Sequence, residues 1–159
     1  MTVFSVPAHP GASSASVSSR MGRLRRRDTA PEMLLRRELH RRGRRFRVAM
    51  RVPGNNRRTI DIAFTRQRVA VMVDGCFWHG CPAHGSAPSS NAAWWRTKLA
   101  ANAARDADTD ALLRAAGWRV IRVWEHVSAS AAADLVETAL EDTGRAGHRR
   151  AERGAGPPR

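Results

Sequence analysis

Residues 57–84 read R-R-T-I-D-I-A-F-T-R-Q-R-V-A-V-M-V-D-G-C-F-W-H-G-C-P-A-H. Arg57 to Phe64 alternates, with Ile60, Ile62 and Phe64 on one side and Thr59, Asp61 and Ala63 on the other, the period-two pattern of a half-buried strand. Thr65-Arg66-Gln67-Arg68 turns the chain, and Val69 to Val73 forms a second apolar run of strand length. That run leads directly into residues 73–84, which hold both cysteines of the chain, two histidines and the adjacent Phe77-Trp78 pair.

Cys76, Cys81 and His84 follow a C-x4-C-x2-H spacing. Three soft ligands so close in sequence suit a tetrahedral zinc ion, which takes four in a structural site. His126 is the best fourth. It ends a later apolar strand as Val73 ends the earlier one, so neighbouring strands would bring it beside the loop. Either histidine could instead be an ordinary surface residue, but two cysteines in so cysteine-poor a chain make poor disulfide partners and good thiolate ligands.

Outward from this stretch, Thr29-Ala30-Pro31-Glu32 starts a helix: Thr29 can cap, Pro31 fits the first turn, and Glu32 is the capping-box partner. The helix is predicted to run to about Arg42 and stop at Gly43. Asn91 to Ala116 reads as one long helix, with Trp95, Leu99, Asn102 and Asp106 on a shared face. Trp118 to His126 forms a third, mostly apolar strand, and Asp134 to Glu141 belongs to a closing helix. The order helix, strand, strand, helix, strand, helix predicts an α/β domain with a mixed central sheet flanked by helices. Residues 1–19, rich in Ser, Ala, Gly and Pro, and the basic residues 143–159 are expected as disordered tails around a domain at 20–142.

The 159 residues accommodate one domain with its own core. Net charge is +14, and 27 of the 28 basic side chains are arginine, because Lys98 is the only lysine. This balance favours a polyanionic partner, and the arginine fork suits phosphate and guanine edges; an arginine-favouring genome is the bland alternative. No stretch has the length and apolarity of a membrane span, and the expected location is the cytoplasm.

Asp61 interrupts a strand, where a buried carboxylate is costly unless a cation such as magnesium offsets it. Glu32 shares a helical face with Leu35 and Leu39, so it points toward the core, with the capping role as its structural alternative. Asp106 lies on the Trp95 face, and a salt bridge to an arginine such as Arg105 would equally explain it. His79 is left over by the zinc set and can serve as a general base. Carboxylates, magnesium and a base are the requirements of phosphodiester hydrolysis, and the basic surface points to nucleic acid. Trp118 and Trp124 read as core. Phe77 and Trp78, on an irregular loop, read either as core or as a wedge that unstacks a base step.

The chain resembles the very-short-patch mismatch repair endonucleases over roughly residues 18–128. The resemblance rests on S-x-R-M-G at 18–22, R-D-T-A-P-E at 27–32, I-D-I-A-F at 60–64, D-G-C-F-W-H at 74–79, W-W-x-x-K-L-x-x-N at 94–102, R-D at 105–106 and G-W-R-V-x-x-V-W-E at 117–125. It implies a restriction-endonuclease-like core that nicks DNA 5′ of the thymine in T:G mismatches left by deaminated 5-methylcytosine. It further implies Asp61 as principal magnesium ligand with the Val73 backbone carbonyl, His79 as catalytic base, Glu32 as its supporting acid, and Asp106 nearby. Phe77, Trp78 and Trp95 would enter the helix beside the mismatch, with Met21 probing from the opposite groove. The implied partners are T:G-containing duplex DNA and mismatch-repair proteins, and the expected form is a nucleoid-associated monomer. Two departures stand out: Val73-Asp74 replaces a Thr-His pair, which leaves Asp74 without an assigned role, and the zinc set has two cysteines and two histidines. The competing readings are a sequence-specific restriction-type nuclease of the same fold and a non-catalytic, zinc-stabilised DNA-binding module.

Overall fold

The computed structural model of the protein describes residues 6–8, 11, 27–85 and 89–154, the stretch 145–154 in backbone only. Met21 and most of the N-terminal segment lie outside the described residues. The elements in order are α1 (Ala30–Arg41), β1 (Arg47–Val52), β2 (Asn55–Phe64), β3 (Val69–Asp74), α2 (Ala92–Ala115), β4 (Arg119–Trp124) and α3 (Ala129–Gly154). The four strands form one sheet in the order β1-β2-β3-β4, antiparallel except for the parallel β3–β4 pair. The expected mixed sheet flanked by helices is present. Among the described residues, no helix is long and apolar enough to cross a membrane.

β1 was not expected. R-V-A-M-R-V lacks clean alternation, and the strand exists because the Pro53-Gly54 turn folds it back on β2 as a hairpin. Gly54 takes φ +78°, a conformation open to glycine at little cost.

α1 follows its sequence signals closely, with Pro31 in its first turn and Gly43 at φ +76° beyond its end. The capping box is replaced by a local variant, in which Glu32 reaches one residue past the N-cap. Thr29 gives no side-chain cap; its hydroxyl donates to Glu32 Oε1 at 3.1 Å, while Glu32 Oε2 accepts the Asp28 backbone N–H at 2.9 Å. α3 continues through 143–154, where the composition predicts a tail; Ala, Arg and Glu are strong helix formers, and the apolar face of 129–140 nucleates the run.

Two apolar layers sandwich the sheet. Leu35 and Leu39 of α1 and Ala132, Ala133 and Val136 of α3 pack on Ile62, Phe64, Val69, Val71 and Val123. On the other face Leu113 of α2 packs with Val52, Ile60, Ala63 and Ala70, and half-buried Trp118 joins them. Each fully buried Leu or Ile contributes roughly 1.5–3 kcal/mol relative to exposure.

Ile60 thus sits on the opposite layer from Ile62 and Phe64, where strict alternation places all three together. The alternation slips at Asp61. Opposite this point β1 has Ala49 at φ +50°, between the paired positions Val48↔Ile62 and Met50↔Ile60.

β3 and β4 pair in register from Val69↔Arg119 to Asp74↔Trp124, with α2 as the crossover. Their C-terminal ends therefore stop side by side, and the segments after them emerge together.

Candidate active site and metal centre

The chain leaves β3 at Asp74 and enters a coiled loop. His79 N–H donates to the Gly75 carbonyl at 3.1 Å and Cys81 N–H to the Cys76 carbonyl at 3.0 Å, and between them Gly80 at φ +66° lets the loop wind tightly. β4 fastens the loop from the side: Glu125 N–H donates to the Asp74 carbonyl at 2.9 Å, and Glu125 Oε1 accepts the Cys76 N–H at 2.6 Å. On the other flank Asn102 of α2 donates through Nδ2 to the Trp78 carbonyl at 2.8 Å. Neither Glu125 nor Asn102 was singled out as functional in the sequence, because both act on backbone groups of a distant segment.

This fastening brings four side chains together. Cys76, Cys81, His84 and His126 each offer a ligand atom, and these atoms all lie within 4.8 Å of one another. Cys76 Sγ is 3.1 Å from His126 Nδ1, Cys81 Sγ is 3.7 Å from the same nitrogen, and Cys81 Sγ is 3.9 Å from His84 Nδ1. A tetrahedral zinc with bonds of about 2.0–2.3 Å sets its ligand atoms roughly 3.3–3.8 Å apart. The donor set and its spacing fit such an ion. Desolvation and the adjacent Cys81 thiol push the Cys76 thiol above its ordinary range, and a cation bound between them would oppose that shift by favouring the thiolate.

The second cluster lies on the sheet side of the loop. Asp61 Oδ2 accepts the Val73 N–H at 2.8 Å across the β2–β3 pair. Burial pushes the Asp61 carboxyl up to about 6, and the nearby Glu32 and Asp74 carboxylates add to that, against the Val73 hydrogen bond and Arg36. Its burial makes Asp61 a group whose charge a hard divalent cation such as magnesium would offset, while Glu32 and Asp74 are ion-paired to Arg36 and Arg122. Glu32 is buried, as its helical face predicted, yet its carboxylate is engaged by Asp28, Thr29 and Arg36 Nη2, the last at 3.0 Å. It is a charge neighbour of Asp61 and makes no hydrogen bond to His79.

The carboxylate that meets His79 is that of Asp106, whose Oδ2 lies 2.5 Å from His79 Nδ1. Arg105, the salt-bridge partner considered for Asp106, reaches Asn102 Oδ1 at 3.4 Å. An ionised carboxylate only accepts, so Nδ1 carries the proton and Nε2 is the nitrogen open to a substrate. Burial lowers the His79 pKa, but the Asp106 hydrogen bond and the charges of Asp74 and Asp106 outweigh it, and the net shift is upward.

Asp74 also has a defined place. It is buried, 3.7 Å from His79 Nδ1, and ion-paired to Arg122 Nη1 at 2.7 Å. Arg122 and Asp110, which completes the group, were missed in the sequence. The available signal was an arginine inside an otherwise apolar strand.

Phe77, Trp78 and Trp95 form one aromatic cluster. Ring centroids are 5.0 Å apart for Phe77–Trp78 and 5.1 Å for Phe77–Trp95, both edge-on, and Trp94 meets Trp95 at 4.9 Å. Trp95 is buried, while Phe77 and Trp78 are half-buried at the loop surface. Phe77 and Trp78 immediately precede His79 on the loop.

The family pattern described as DNA mismatch endonuclease Vsr matches residues 13–84. The type II nicking enzyme V.NaeI of Lentzea aerocolonigenes is 43% identical over 120 residues, covering 74% of this chain and 72% of that protein. The type II nicking enzyme V.XorIIP of Xanthomonas oryzae pv. oryzae is 42% identical over 107 residues, covering 66% of this chain and 76% of that one. The DNA mismatch endonuclease Vsr of Escherichia coli (strain K12) is 33% identical over 113 residues, covering 70% of each. With these similarities and the clusters above, the chain belongs to the DNA mismatch endonuclease Vsr family and is a DNA endonuclease.

Proposed function

We propose that the protein nicks one strand of duplex DNA on the 5′ side of the thymine in T:G mismatches produced by deamination of 5-methylcytosine, and so begins very short patch repair. The hydrogen bond between His79 and Asp106 carries this reading, because it orients a base on the loop that leaves β3, with Asp74 as a charge neighbour of both His79 and Asp61. Asp61 and the Val73 carbonyl would hold magnesium, and Cys76, Cys81, His84 and His126 would hold zinc. Bound there, magnesium would supply charge stabilisation at the scissile phosphate, and zinc would supply rigidity to the loop.

The chain's own groups do the rest. His79 Nε2 accepts a proton from the attacking water, and Asp106 stabilises the imidazolium that results. Glu32 adds negative charge beside Asp61 and so favours a cation there. Phe77, Trp78 and Trp95 offer an apolar wedge. Unstacking a base step costs a few kcal/mol and less at a mismatch, which favours a damaged site over a paired one. Met21 would act from the opposite groove. The reading includes a restriction-endonuclease-like core and a monomer working in the cytoplasm on nucleoid DNA, alongside mismatch-repair proteins.

A second reading, a nuclease of the same fold that selects sequence alone, is favoured by the relatives named as type II nicking enzymes. One assay separates them: magnesium-dependent nicking of T:G and T:A duplexes with randomised flanks. Nicking confined to T:G supports the proposal, and equal cleavage of both duplexes overturns the mismatch claim. Asp61→Ala is expected to lose nicking and keep duplex binding; unchanged nicking would sink the mechanism.

A further inference from the structure

Arg122 projects from β4 onto the α2 side of the sheet and meets three carboxylates. Its Nη1 donates to both oxygens of Asp74 at 2.7 and 2.8 Å, its Nε to Asp110 Oδ1 at 3.1 Å, and its Nη2 lies 3.0 Å from that same oxygen. Nη2 also donates to the Asp106 backbone carbonyl at 3.3 Å and stands 3.6 Å from Asp106 Oδ1. Every nitrogen of the guanidinium is therefore used, at a side-chain exposure of 23%.

Asp106 is thus held from two sides. Its Oδ2 takes His79, while its Oδ1 and its own carbonyl face Arg122. Asp110 is one helical turn further along α2, so the same guanidinium fixes both the position and the rotation of the helix that carries Asp106. Asp74 ties the arrangement to the last residue of β3, five positions before His79. Without Arg122, Asp110 would keep Arg114 at 3.3 Å, but Asp74 and Asp106 would face each other with only His79 between them, and Asp106 would be free to turn from the imidazole.

We propose that Arg122, acting with Asp74, is a positioning residue for the reaction: it orients Asp106 so that His79 keeps its proton on Nδ1 and presents Nε2 to the water. The inference rests on the reading of His79 as the base. A lysine at 122 keeps the charge but has no planar fork, so it cannot engage Asp74, Asp106 and Asp110 at once.

The test is a double-mutant cycle on the zinc-loaded full chain, with kcat and KM for magnesium-dependent nicking of a T:G duplex as readouts. Arg122→Met and Arg122→Lys are each expected to lower kcat by about tenfold or more with little change in KM. In the Asp106→Asn background the same substitutions are expected to cost far less, because the group through which Arg122 acts is already lost. Wild-type kcat in both Arg122 variants, or an equal loss in both backgrounds, would overturn the proposal; the latter is the result of a purely structural role. If Arg122→Met does not fold, Arg122→Lys carries the cycle alone. His79→Ala separates the two levels: full nicking by that variant removes the base reading itself, whereas its inactivity together with unaffected Arg122 variants removes only the present inference.

Discussion

Cys76 Sγ lies 3.1 Å from His126 Nδ1 although 50 positions separate them in the chain. The contact exists because β3 and β4 end side by side, and Cys76 and His126 each follow a strand end by two residues. His126→Ala removes one of the four side chains that the cluster offers to a metal. It is expected to lower bound zinc well below one equivalent and to destabilise the protein by about 2–4 kcal/mol, a fall in Tm of roughly 5–15 °C. Metal analysis of the purified variant together with thermal melts checks both parts.

Asp106→Asn keeps the size of the side chain but allows its amide to donate to His79, which favours the wrong tautomer. By analogy with other acid–histidine pairs, kcat for nicking is expected to fall about 100- to 10,000-fold while duplex affinity stays within a few fold. Single-turnover nicking and a gel-shift titration make the comparison. Retained nicking would argue against His79 as the base.

Asp61→Asn sets activity against stability. The folded carboxyl titrates near 6, above its ordinary value of 3.8, so ionisation opposes folding: the cost is absent below about pH 3.8 and complete above pH 6. At pH 7.5 in magnesium-free buffer that cost is up to about 3 kcal/mol, and the variant is expected to melt several degrees higher than the wild type. The same variant is expected to show no nicking when magnesium is added. A lower melting temperature at pH 7.5 would contradict the burial argument.

Arg42 joins α1 to α3 through Glu38, Asp134 and Glu137, at 2.7, 2.6 and 2.9 Å. Hydrogen bonds from Arg41 and Arg42 hold Glu38 down to about 2, and those from Arg44 and Arg42 lower Glu137. Depressed carboxyl pKa values mean that this stabilisation is present above the unfolded value near 4.5 and is lost as pH falls toward 2. The difference in Tm between wild type and Arg42→Met is therefore expected to be largest near neutrality and to shrink below pH 4. Melts from pH 7 to pH 2.5 measure it.

Local signals carried much of this molecule. The start and stop of α1, both inner strands and the long helix follow from capping residues and periodicity, which operate within a few positions. The meeting of Cys76, Cys81, His84 and His126 was legible for a different reason, since two adjacent strand ends were already implied by the apolar runs before Cys76 and His126. What escaped depends on pairing across distance. β1 has no pattern of its own and is a strand only because β2 accepts it. The slip at Asp61 lies opposite Ala49 of the partner strand, whose φ of +50° no local pattern foretells. Arg122 reads as a flaw in a mostly apolar strand until Asp74, Asp106 and Asp110 surround it, and the contacts of Glu32 with Asp28, Thr29 and Arg36 depend on side-chain packing that periodicity does not show.

The parallel pairing of β3 with β4 also constrains the order in which the protein can assemble. The strands flank the whole of α2, so their ladder closes a long chain loop, an entropic cost that comes before any contact rewards it. Neither cluster can exist before that ladder forms, because Asp74, Cys76, Arg122 and His126 are brought together only by it. The β1–β2 hairpin and α2 can form early from local contacts. Assembly of the two clusters is then a late event in folding, and a chain halted before the β3–β4 ladder is complete has neither.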